Sequence, residues 1–323
     1  MELELKIPQE VLDIIQKLKN RGFQAYIVGG CVRDLLRKEK PKDWDVTTNA
    51  KPEEIQKVFP NSFLDNKFGT VSVLTGSVEP SLEKVEITPF RTEAKYRDKR
   101  HPEEIKWAKT LEEDLKRRDF TVNALAIELQ GGKQFRIIDL YKGVDDLKRK
   151  IIRAVGDPKQ RFQEDALRLI RAVRLATVLD FNIENQTIKA IKENAHLLRF
   201  ISKERIRDEF LKIINAPGFI KLAKEPGTIF KNLKGPVKGI ELLRKLGLLN
   251  YIVPELLETV GVTQNKHHIY DVYEHSLRAL NYAAERNFNF YVRIAALFHD
   301  IGKPRTKRGE GLDATFYNHE IVG

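Results

Sequence analysis

Two aspartates separated by one residue, Asp43 and Asp45, carry the clearest chemical signal in this 323-residue sequence. Side chains two residues apart on a β-strand point to the same face, so one strand can present both carboxylates to divalent cations. Two such cations can activate an attacking hydroxyl, neutralise phosphate charge and stabilise the leaving group of an in-line displacement. In the segment KVEIT, Glu86 lies on the polar face of another predicted strand, as a third carboxylate of this site or as a surface glutamate.

A Gly-Gly pair precedes the two aspartates in the sequence. The predicted strand QAYIVGG ends in Gly29 and Gly30, and the helix that follows carries Arg33 in its first turn. Glycines allow close approach of the backbone, and the N–H groups at a helix start favour an anion such as a triphosphate, which Arg33 can also reach. Either motif alone is usually structural, but both occur within seventeen residues on a strand–helix–strand pattern. We therefore predict two-metal transfer of a nucleotidyl group.

The elements that must position these residues change in character along the chain. Strand and helix patterns alternate up to about residue 145, and from Asp157 onward helix follows helix, with breaks at proline and glycine. The predicted strands are QAYIVGG, DWDVTT, GTVSVLT, KVEITPF, FTVNALAIEL and FRIIDL. This pattern predicts an α+β fold, in which a head with a mixed β-sheet and helices is followed by an all-helical arm.

Composition and charge restrict the class of protein. Apolar residues make up 41% and charged residues 32% of the chain, which indicates a soluble folded protein, and we expect neither a signal peptide nor a membrane anchor. The single cysteine, Cys31, excludes an intramolecular disulfide and a cysteine-based zinc site and fits the cytoplasm. The net charge is +11, and residues 199–245 contain twelve Lys/Arg against five Asp/Glu. This excess is either a solvated lysine-rich surface or an attraction for a polyanion such as nucleic acid.

Ordered motifs between about residues 24 and 210 carry a family resemblance. They are YIVGGCVRDLLRKEKPKDWDVTTNAKPEEI, FGTVSV, EITPFRTEAKYRDKRHPEEI, EEDLKRRDFTVNALA, IIDLYKGVDDLKRKIIRAVGDPKQRFQEDALRLIRAVRLA and ISKERI. Together they resemble the class II tRNA nucleotidyltransferases, the CCA-adding enzymes, and the related bacterial poly(A) polymerases. The resemblance implies template-independent addition of CCA to tRNA 3′ ends from CTP and ATP, with two Mg²⁺ ions, for which Mn²⁺ can substitute.

The same resemblance implies four segments. They are a nucleotidyltransferase head (1–145), a helical neck with a nucleotide-selecting helix (146–205), a helical RNA-binding body (206–258) and a partial HD-like helical segment (259–323).

Base selection is assigned by the resemblance to the neck. Cytosine and adenine both present an amino donor beside a ring-nitrogen acceptor, so a carboxylate and a guanidinium together would accept C and A and reject G and U. The resemblance makes Asp165 the acceptor and Arg168 the donor, and adds Arg171 and Arg174 as contacts to the nucleotide or its phosphates. Helical spacing places Glu164, Arg168 and Arg171 on one face, a pattern that an ordinary amphipathic helix with ion pairs also gives.

Further features separate the members of the family. The resemblance assigns Arg118 and Asn123, in RRDFTVN, to the nucleotide pocket. The segment from Lys67 to Val71 reads like the tRNA enzymes, and the loop from Arg91 to Glu113 has the full length expected for adding the terminal A. Full CCA addition is therefore the favoured interpretation. Addition of A alone or of CC alone within a split system, and poly(A) synthesis, remain alternatives.

The C-terminal region resembles the HD phosphohydrolases. His275 and the pair His299-Asp300 are candidate metal ligands, and His319 falls where a further histidine is often seen in such domains. The downstream aspartate of the pattern does not occur before Gly323, so we expect a piece of a longer protein or a short form, without a competent phosphohydrolase site. A metal-dependent phosphohydrolase is thus the alternative enzyme class. A catalytically inactive RNA-binding module is disfavoured because Asp43 and Asp45 are both present.

Overall fold

A seven-stranded mixed sheet organises the first of two structural units, Met1–Glu164 and Asp165–Gly323. The computed structural model describes residues 5–65, 69–92, 106–131, 134–265 and 268–323. The strands of the chain are β1 (Ala25–Val28), β2 (Trp44–Thr48), β3 (Ser62–Leu64), β4 (Val71–Leu74), β5 (Lys84–Pro89), β6 (Arg91–Thr92), β7 (Lys106–Trp107), β8 (Leu125–Gly131), β9 (Gln134–Asp139), β10 (Ile151–Ile152) and, in the second unit, β11 (Asn182–Ile183).

The order of the sheet brings together strands that are distant in sequence. Its strands run β3-β4-β5-β2-β1-β8-β9, and β6 pairs with β7 separately. Strand β2 runs parallel to β5, and the other neighbours are antiparallel. The six predicted strands are all present, whereas the short strands β3, β6, β7, β10 and β11 were not predicted. The expected strand from Phe120 begins only at Leu125, because residues Thr121–Asn123 form a 3-10 turn.

Helices of the first unit contribute to two cores, a main one on the apolar face of the sheet and a smaller one, which includes α4 residues, on the other face. The helices are α1 (Gln9–Asn20), α2 (Gly30–Leu36), α3 (Pro52–Val58), α4 (Leu111–Lys116), α5 (Gly143–Arg149) and α6 (Pro158–Glu164). Burial alternates along β5, so that Val85 and Ile87 are fully buried in the main core. Lys84, Glu86 and Thr88 therefore lie on the opposite face, as period-two alternation requires.

The second unit is built from helices, as the sequence predicts, apart from the two-residue strand β11. The helices are α7 (Leu167–Val178), α8 (Asn185–Asn194), α9 (Lys203–Ile214), α10 (Gly235–Lys245), α11 (Pro254–Glu258), α12 (Val272–Glu285), α13 (Phe290–Phe298), α14 (Lys303–Thr306) and α15 (His319–Val322). Helix α7 packs against α9 and α10, and α12 packs against α10 and α13. The predicted α+β class is thus confirmed. No helix in the described part of the chain is long and apolar enough to cross a membrane.

Candidate active site

The two candidate aspartates lie at the start of β2. The strand begins at Trp44, so Asp43 occupies an exposed bend one residue before the strand and not a strand position as predicted, while Asp45 is half-buried. Burial, and then the negative charge of Asp43, raise the pKa of Asp45 to about 7, although the cation of Arg118 opposes the rise. Asp43 and Glu86 both add negative charge around Asp45, which is the condition that a bound cation relieves.

Glu86 faces Asp45 across two parallel strands. The two residues are register partners between β2 and β5, so their side chains emerge on the same face of the sheet. Lys84 lies on that face as well, with its Nζ 2.8 Å from Glu86 Oε1 and 3.2 Å from Asp65 Oδ2. The structure therefore brings Glu86 beside Asp45. In this position Glu86 forms an ion pair with Lys84.

Gly29 is required by its backbone and by its neighbours. Its φ of +82° lies in the left-handed region. A Cβ at this position would lie 3.1 Å from Arg118 Nη1 and 3.2 Å from Asp45 Oδ2. Any side chain here would thus push against the two groups that the predicted site needs.

Arg33 and Asn123, ninety residues apart in sequence, are hydrogen-bonded to each other. Arg33 Nη1 donates to Asn123 Oδ1 at 2.8 Å, and its Nε and Nη2 donate to the two oxygens of Asp34 at 2.9 Å each. The guanidinium also lies over Gly30, with Nη2 3.5 Å from where a Cβ would be. Asn123 Nδ2 donates in turn to Asp119 Oδ1 at 3.2 Å. Four predicted pocket residues are thus adjacent on the head: Gly29, Gly30, Arg33 and Asn123.

Arg118 is held by a residue that our sequence reasoning missed. Its Nη2 donates to Asp114 Oδ2 at 3.3 Å, and Asp114 also pairs with Arg117. The Nε of Arg118 is buried and has no hydrogen-bond partner among the residues that the structure describes. The spacing of Asp114 three and four residues before two arginines on a helix was the available signal.

The predicted selecting helix is interrupted. Helix α6 ends at Glu164 and α7 begins at Leu167, so Glu164 and Arg168 do not share one continuous helical face, and that prediction is wrong. The physical reason is local, because Asp165 Oδ1 accepts the backbone N–H of Leu167 at 3.0 Å, an Asx turn that competes with the helical backbone pattern. Its Oδ2 accepts from Arg205 Nη2 at 3.1 Å.

The arginines of α7 differ in exposure. Arg168 is only 8% exposed, whereas Arg171 and Arg174 are half-buried. Arg174 pairs with Glu209, with 2.6 Å between Nε and Oε2. Leu169, Ile170 and Val173 are fully buried, as expected for the other side of this helix. These arginines and Asp165 belong to the second unit, and their predicted role in selecting the base stays a prediction.

Histidine and aspartate side chains cluster in the C-terminal region. Ligand atoms of His275, His299 and Asp300 all lie within 4.8 Å of one another, which is a spacing that a metal ion can bridge. His319 Nε2 lies 3.4 Å from Asp300 Oδ1, and Lys303 Nζ donates to Asp300 Oδ2 at 2.8 Å. Burial raises the pKa of Asp300, but hydrogen bonds and charge from His299 and Lys303 outweigh it, so the net pKa is lowered.

Some predicted features fall outside the described residues. The loop from Arg91 to Glu113 is described only at its ends, where β6 pairs with β7, since 93–105 lie outside. Lys67 and Phe68 lie outside as well, so the interpretation of the segment from Lys67 to Val71 as that of a tRNA enzyme stays a prediction.

Three protein families match successive parts of the chain. Residues 25–153 match the Poly A polymerase head domain. Residues 180–225 match the probable RNA and SrmB-binding site of polymerase A, and residues 272–323 match the HD domain.

Curated relatives and solved structures carry consistent names. A CCA-adding enzyme of Lactobacillus helveticus (strain DPC 4571) is 51% identical over 205 residues, which are 63% of this chain and 49% of that protein. The crystal structure of the Bacillus stearothermophilus CCA-adding enzyme in complex with CTP is 37% identical, with a TM-score of 0.64, over 77% of this chain and 55% of that chain. A tRNA nucleotidyltransferase complexed with a primer tRNA and an incoming ATP analog is 26% identical, with a TM-score of 0.61, over 88% of this chain and 75% of that chain. The chain spans about half the length of the curated relatives it matches.

Proposed function

This chain belongs to the class II superfamily of CCA-adding enzymes and poly(A) polymerases, with an HD segment, and we propose that it transfers nucleotides to tRNA 3′ ends. The proposed reaction is template-independent addition of C, C and A from CTP and ATP. Named relatives about half identical to this chain are CCA-adding enzymes, and similar solved structures hold CTP, or a primer tRNA with an ATP analog.

One observation of the fold carries the proposal. Asp45 on β2 and Arg118 at the end of α4 meet at the backbone of Gly29, and Glu86 on β5 is the register partner of Asp45. Carboxylates beside an arginine and a glycine backbone are the groups that nucleotidyl transfer needs, since one set binds cations and the other binds phosphates.

The donor set fits divalent metal ions. Asp43, Asp45 and Glu86 offer carboxylate oxygens, the ligands that Mg²⁺ prefers, and Mn²⁺ accepts the same donors. Burial, and then the negative charge of Asp43, raise the pKa of Asp45 to about 7, and the neighbouring cations of Arg118 and Lys84 oppose this rise only in part. Two bound Mg²⁺ ions would activate the attacking hydroxyl and neutralise phosphate charge.

The protein's own groups would bind and orient the reactants. Arg118 and Arg33 would bind the triphosphate, and Asn123, which accepts from Arg33 Nη1 at 2.8 Å, would hold that guanidinium in place. The tRNA 3′ hydroxyl would lose its proton to solvent as its oxygen attacks the α-phosphorus, the bond between the α-phosphorus and the oxygen that bridges to the β-phosphate would break, and pyrophosphate would leave.

The remaining parts of the chain receive complementary roles. We assign base selection to Glu164, Asp165, Arg168, Arg171 and Arg174, and tRNA contacts to the basic segment 199–245. The four-segment division at 1–145, 146–205, 206–258 and 259–323 belongs to the same proposal, as does a cytoplasmic location, which the single cysteine fits.

Primer extension tests the function. Purified protein with Mg²⁺ and single nucleotides is given tRNAs that lack the last one, two or three nucleotides of the CCA end. We expect C, C and A to be added in order, and Asp43→Ala or Asp45→Ala to abolish addition. Extension by A alone or by C alone would instead assign a split system. A long A tract on unstructured RNA would assign poly(A) polymerase.

The histidine cluster supports a second, separate proposal. His275, His299 and Asp300 meet the geometry of a divalent-metal site. We therefore propose that this cluster binds a divalent metal ion. Binding of Mn²⁺ measured by calorimetry should be lost on His299→Ala, and unchanged binding in that variant would contradict the proposal.

A further inference from the structure

Asp114 is a fully buried acid in the head, next to the candidate site. Its side chain in α4 is 0% exposed, which for a carboxylate requires strong partners. Oδ1 accepts from Arg117 Nε at 2.9 Å and Nη2 at 2.6 Å, and Oδ2 accepts from Arg118 Nη2 at 3.3 Å. Burial raises the pKa of Asp114, but the charges of the two arginines outweigh burial, so the net pKa is lowered and the carboxylate stays ionised.

Asp114 also contacts the strand that carries the catalytic carboxylates. Thr47 Oγ1 donates to Asp114 Oδ2 at 3.4 Å, and Thr47 lies two residues after Asp45, on the same face of β2. The backbone N–H of Arg91, where β6 begins, donates to Oδ1 at 3.4 Å. One carboxylate thus joins α4, β2 and the start of β6.

The hydrogen bond to Asp114 leaves the ligand-facing part of Arg118 available. Asp114 binds Nη2, while Nη1 points to Gly29 and Asp45 and the buried Nε has no hydrogen-bond partner among the described residues. A guanidinium fixed at one corner presents its remaining N–H groups in a defined direction, which is how arginine recognises phosphate with geometric specificity.

We propose that Asp114 is a positioning residue for nucleotide binding, which holds Arg118 beside Gly29 and Asp45 so that the guanidinium meets the incoming triphosphate. The inference rests on the proposed nucleotidyl transfer and deepens it. Asp114 does not touch the substrate in this proposal, because it acts through Arg118.

The first test separates positioning from structural support. Asp114→Asn keeps the shape of the side chain and removes its charge. We expect the KM for CTP and ATP to rise about ten- to hundredfold, as for the loss of a charge-assisted hydrogen bond, with a smaller change in kcat. The preference for binding CTP over CMP, measured by calorimetry, should shrink in parallel, because the weakened interaction is the one between Arg118 and the phosphates.

Glu274→Gln is the matched control. Glu274 is 6% exposed and, like Asp114, is a buried acid that pairs with an arginine of its own helix, Arg278, at 2.9 Å, and it also accepts from the backbone N–H of Gly227 at 2.9 Å. It lies in the second unit, on α12, outside the residues assigned to base selection and to tRNA contacts. We expect this variant to lower the melting temperature and to leave the KM for CTP unchanged. Equal increases in KM for both variants would overturn the proposal, because loss of stability alone would then account for them.

A double-mutant cycle tests whether Asp114 acts through Arg118. In an Arg118→Ala background, Asp114→Asn should raise the KM for CTP no further, since coupled residues are not additive. Additive effects would overturn the proposal. If Asp114→Asn does not fold, Asp114→Glu replaces it in the cycle, with a smaller expected rise in KM that must likewise vanish in the Arg118→Ala background.

Loss of the proposed function and loss of the positioning role of Asp114 give different experimental results. An inactive wild-type protein in the primer-extension assay would contradict the proposed function. An active wild-type protein with an unchanged KM in Asp114→Asn would contradict only the positioning role.

Discussion

Asp45 and Glu86 are register partners, yet the two carboxylates have different electrostatic environments. Glu86 has the ammonium of Lys84 at 2.8 Å, whereas burial and Asp43 raise the pKa of Asp45 to about 7. A cation bound at this strand end therefore gains most from Asp43 and Asp45, and binding displaces a proton from Asp45 where one is held. For this reason the two aspartates, before Glu86, are the residues whose loss we expect to abolish activity.

The proposed base selection depends on a single guanidinium, that of Arg168. Arg168→Ala removes the guanidinium proposed to donate to the ring nitrogen of cytosine or adenine. We expect discrimination against UTP and GTP, measured as the ratio of kcat/KM values, to fall about ten- to hundredfold, because a matched hydrogen bond no longer distinguishes the bases.

The control for this variant is Arg207→Ala, which removes a guanidinium 62% exposed and paired with its neighbour Asp208. It should leave the ratio unchanged. If Arg168→Ala retains full discrimination, the assignment of Arg168 as donor is wrong.

Among the elements, the junction of α10 and α12 depends on one buried acid. Glu241 on α10 accepts from Arg244 at 2.7 and 2.9 Å and from the hydroxyl of Tyr273 on α12 at 3.1 Å. Burial raises the pKa of Glu241, but the Arg244 hydrogen bonds and the nearby cations outweigh burial, so the net pKa is lowered. The contact therefore stabilises the fold only while the carboxylate is ionised.

The free energy of unfolding, measured as a function of pH, tests the contribution of the Glu241 contact. Because the folded pKa of Glu241 is lowered, its stabilisation is fully present above the unfolded pKa, about 4.3, and is lost as pH falls through the folded pKa. Glu241→Gln should lower the free energy of unfolding by about 2 kcal/mol at pH 7. Denaturant titrations should show this difference shrinking below the unfolded pKa.

Glu258→Gln is the comparison on the surface. Glu258 is 39% exposed and forms a two-point pair with Arg305, at 2.7 and 2.8 Å. Solvent screens such pairs, so this variant should change stability little. If the difference in free energy of unfolding between the wild type and Glu241→Gln stays constant as pH falls to the folded pKa, then the contact does not depend on an ionised carboxylate.

For the whole molecule, the excess of positive charge is the property that bears on tRNA. The net charge is +11, and residues 199–245 contribute twelve Lys/Arg against five Asp/Glu. Neutralising phosphates releases counterions, so tRNA affinity should fall steeply as salt rises. If the lysines of residues 199–245 are only a solvated surface, they should contribute no more to tRNA affinity than exposed lysines elsewhere in the chain.

A triple variant measures the contribution of the basic segment. Lys221, Lys224 and Lys231 are exposed, and their replacement by Gln should reduce the slope of log affinity against log salt by roughly 0.7 to 0.9 for each phosphate that is no longer neutralised. The exposed lysines of the head, Lys17, Lys51 and Lys57, provide the matched triple control. An equal change in slope for both triples would contradict a localised tRNA surface.

The chain's local patterns predicted most of its elements correctly. Alternating apolar residues marked the six main strands, including the polar face that carries Glu86, because period-two alternation is a property of the strand itself. Glycine at positive φ explains Gly29 in the same local way. The α+β class and the family followed from these patterns and from ordered motifs.

Local sequence failed where one side chain competes with the backbone pattern. Asp165 accepts the N–H of Leu167 and ends a helix that periodicity would have continued through Glu164 to Arg171. Asn123 is a second example: the alternating pattern predicted a strand at this residue, but it lies in a 3-10 turn.

What the tertiary structure alone decided is which distant residues meet. Asp45 lies opposite Glu86 because β2 and β5 are parallel neighbours, and Arg33 binds Asn123 because the turn before β8 reaches α2. Asp114 could be read as a local partner of two arginines, but its contact with Thr47 depends on the packing of α4 against the sheet. Sequence spacing determines which chemistry the residues can perform, since that depends on residue type. Strand order and packing determine their neighbours, since those contacts join segments that no local pattern relates.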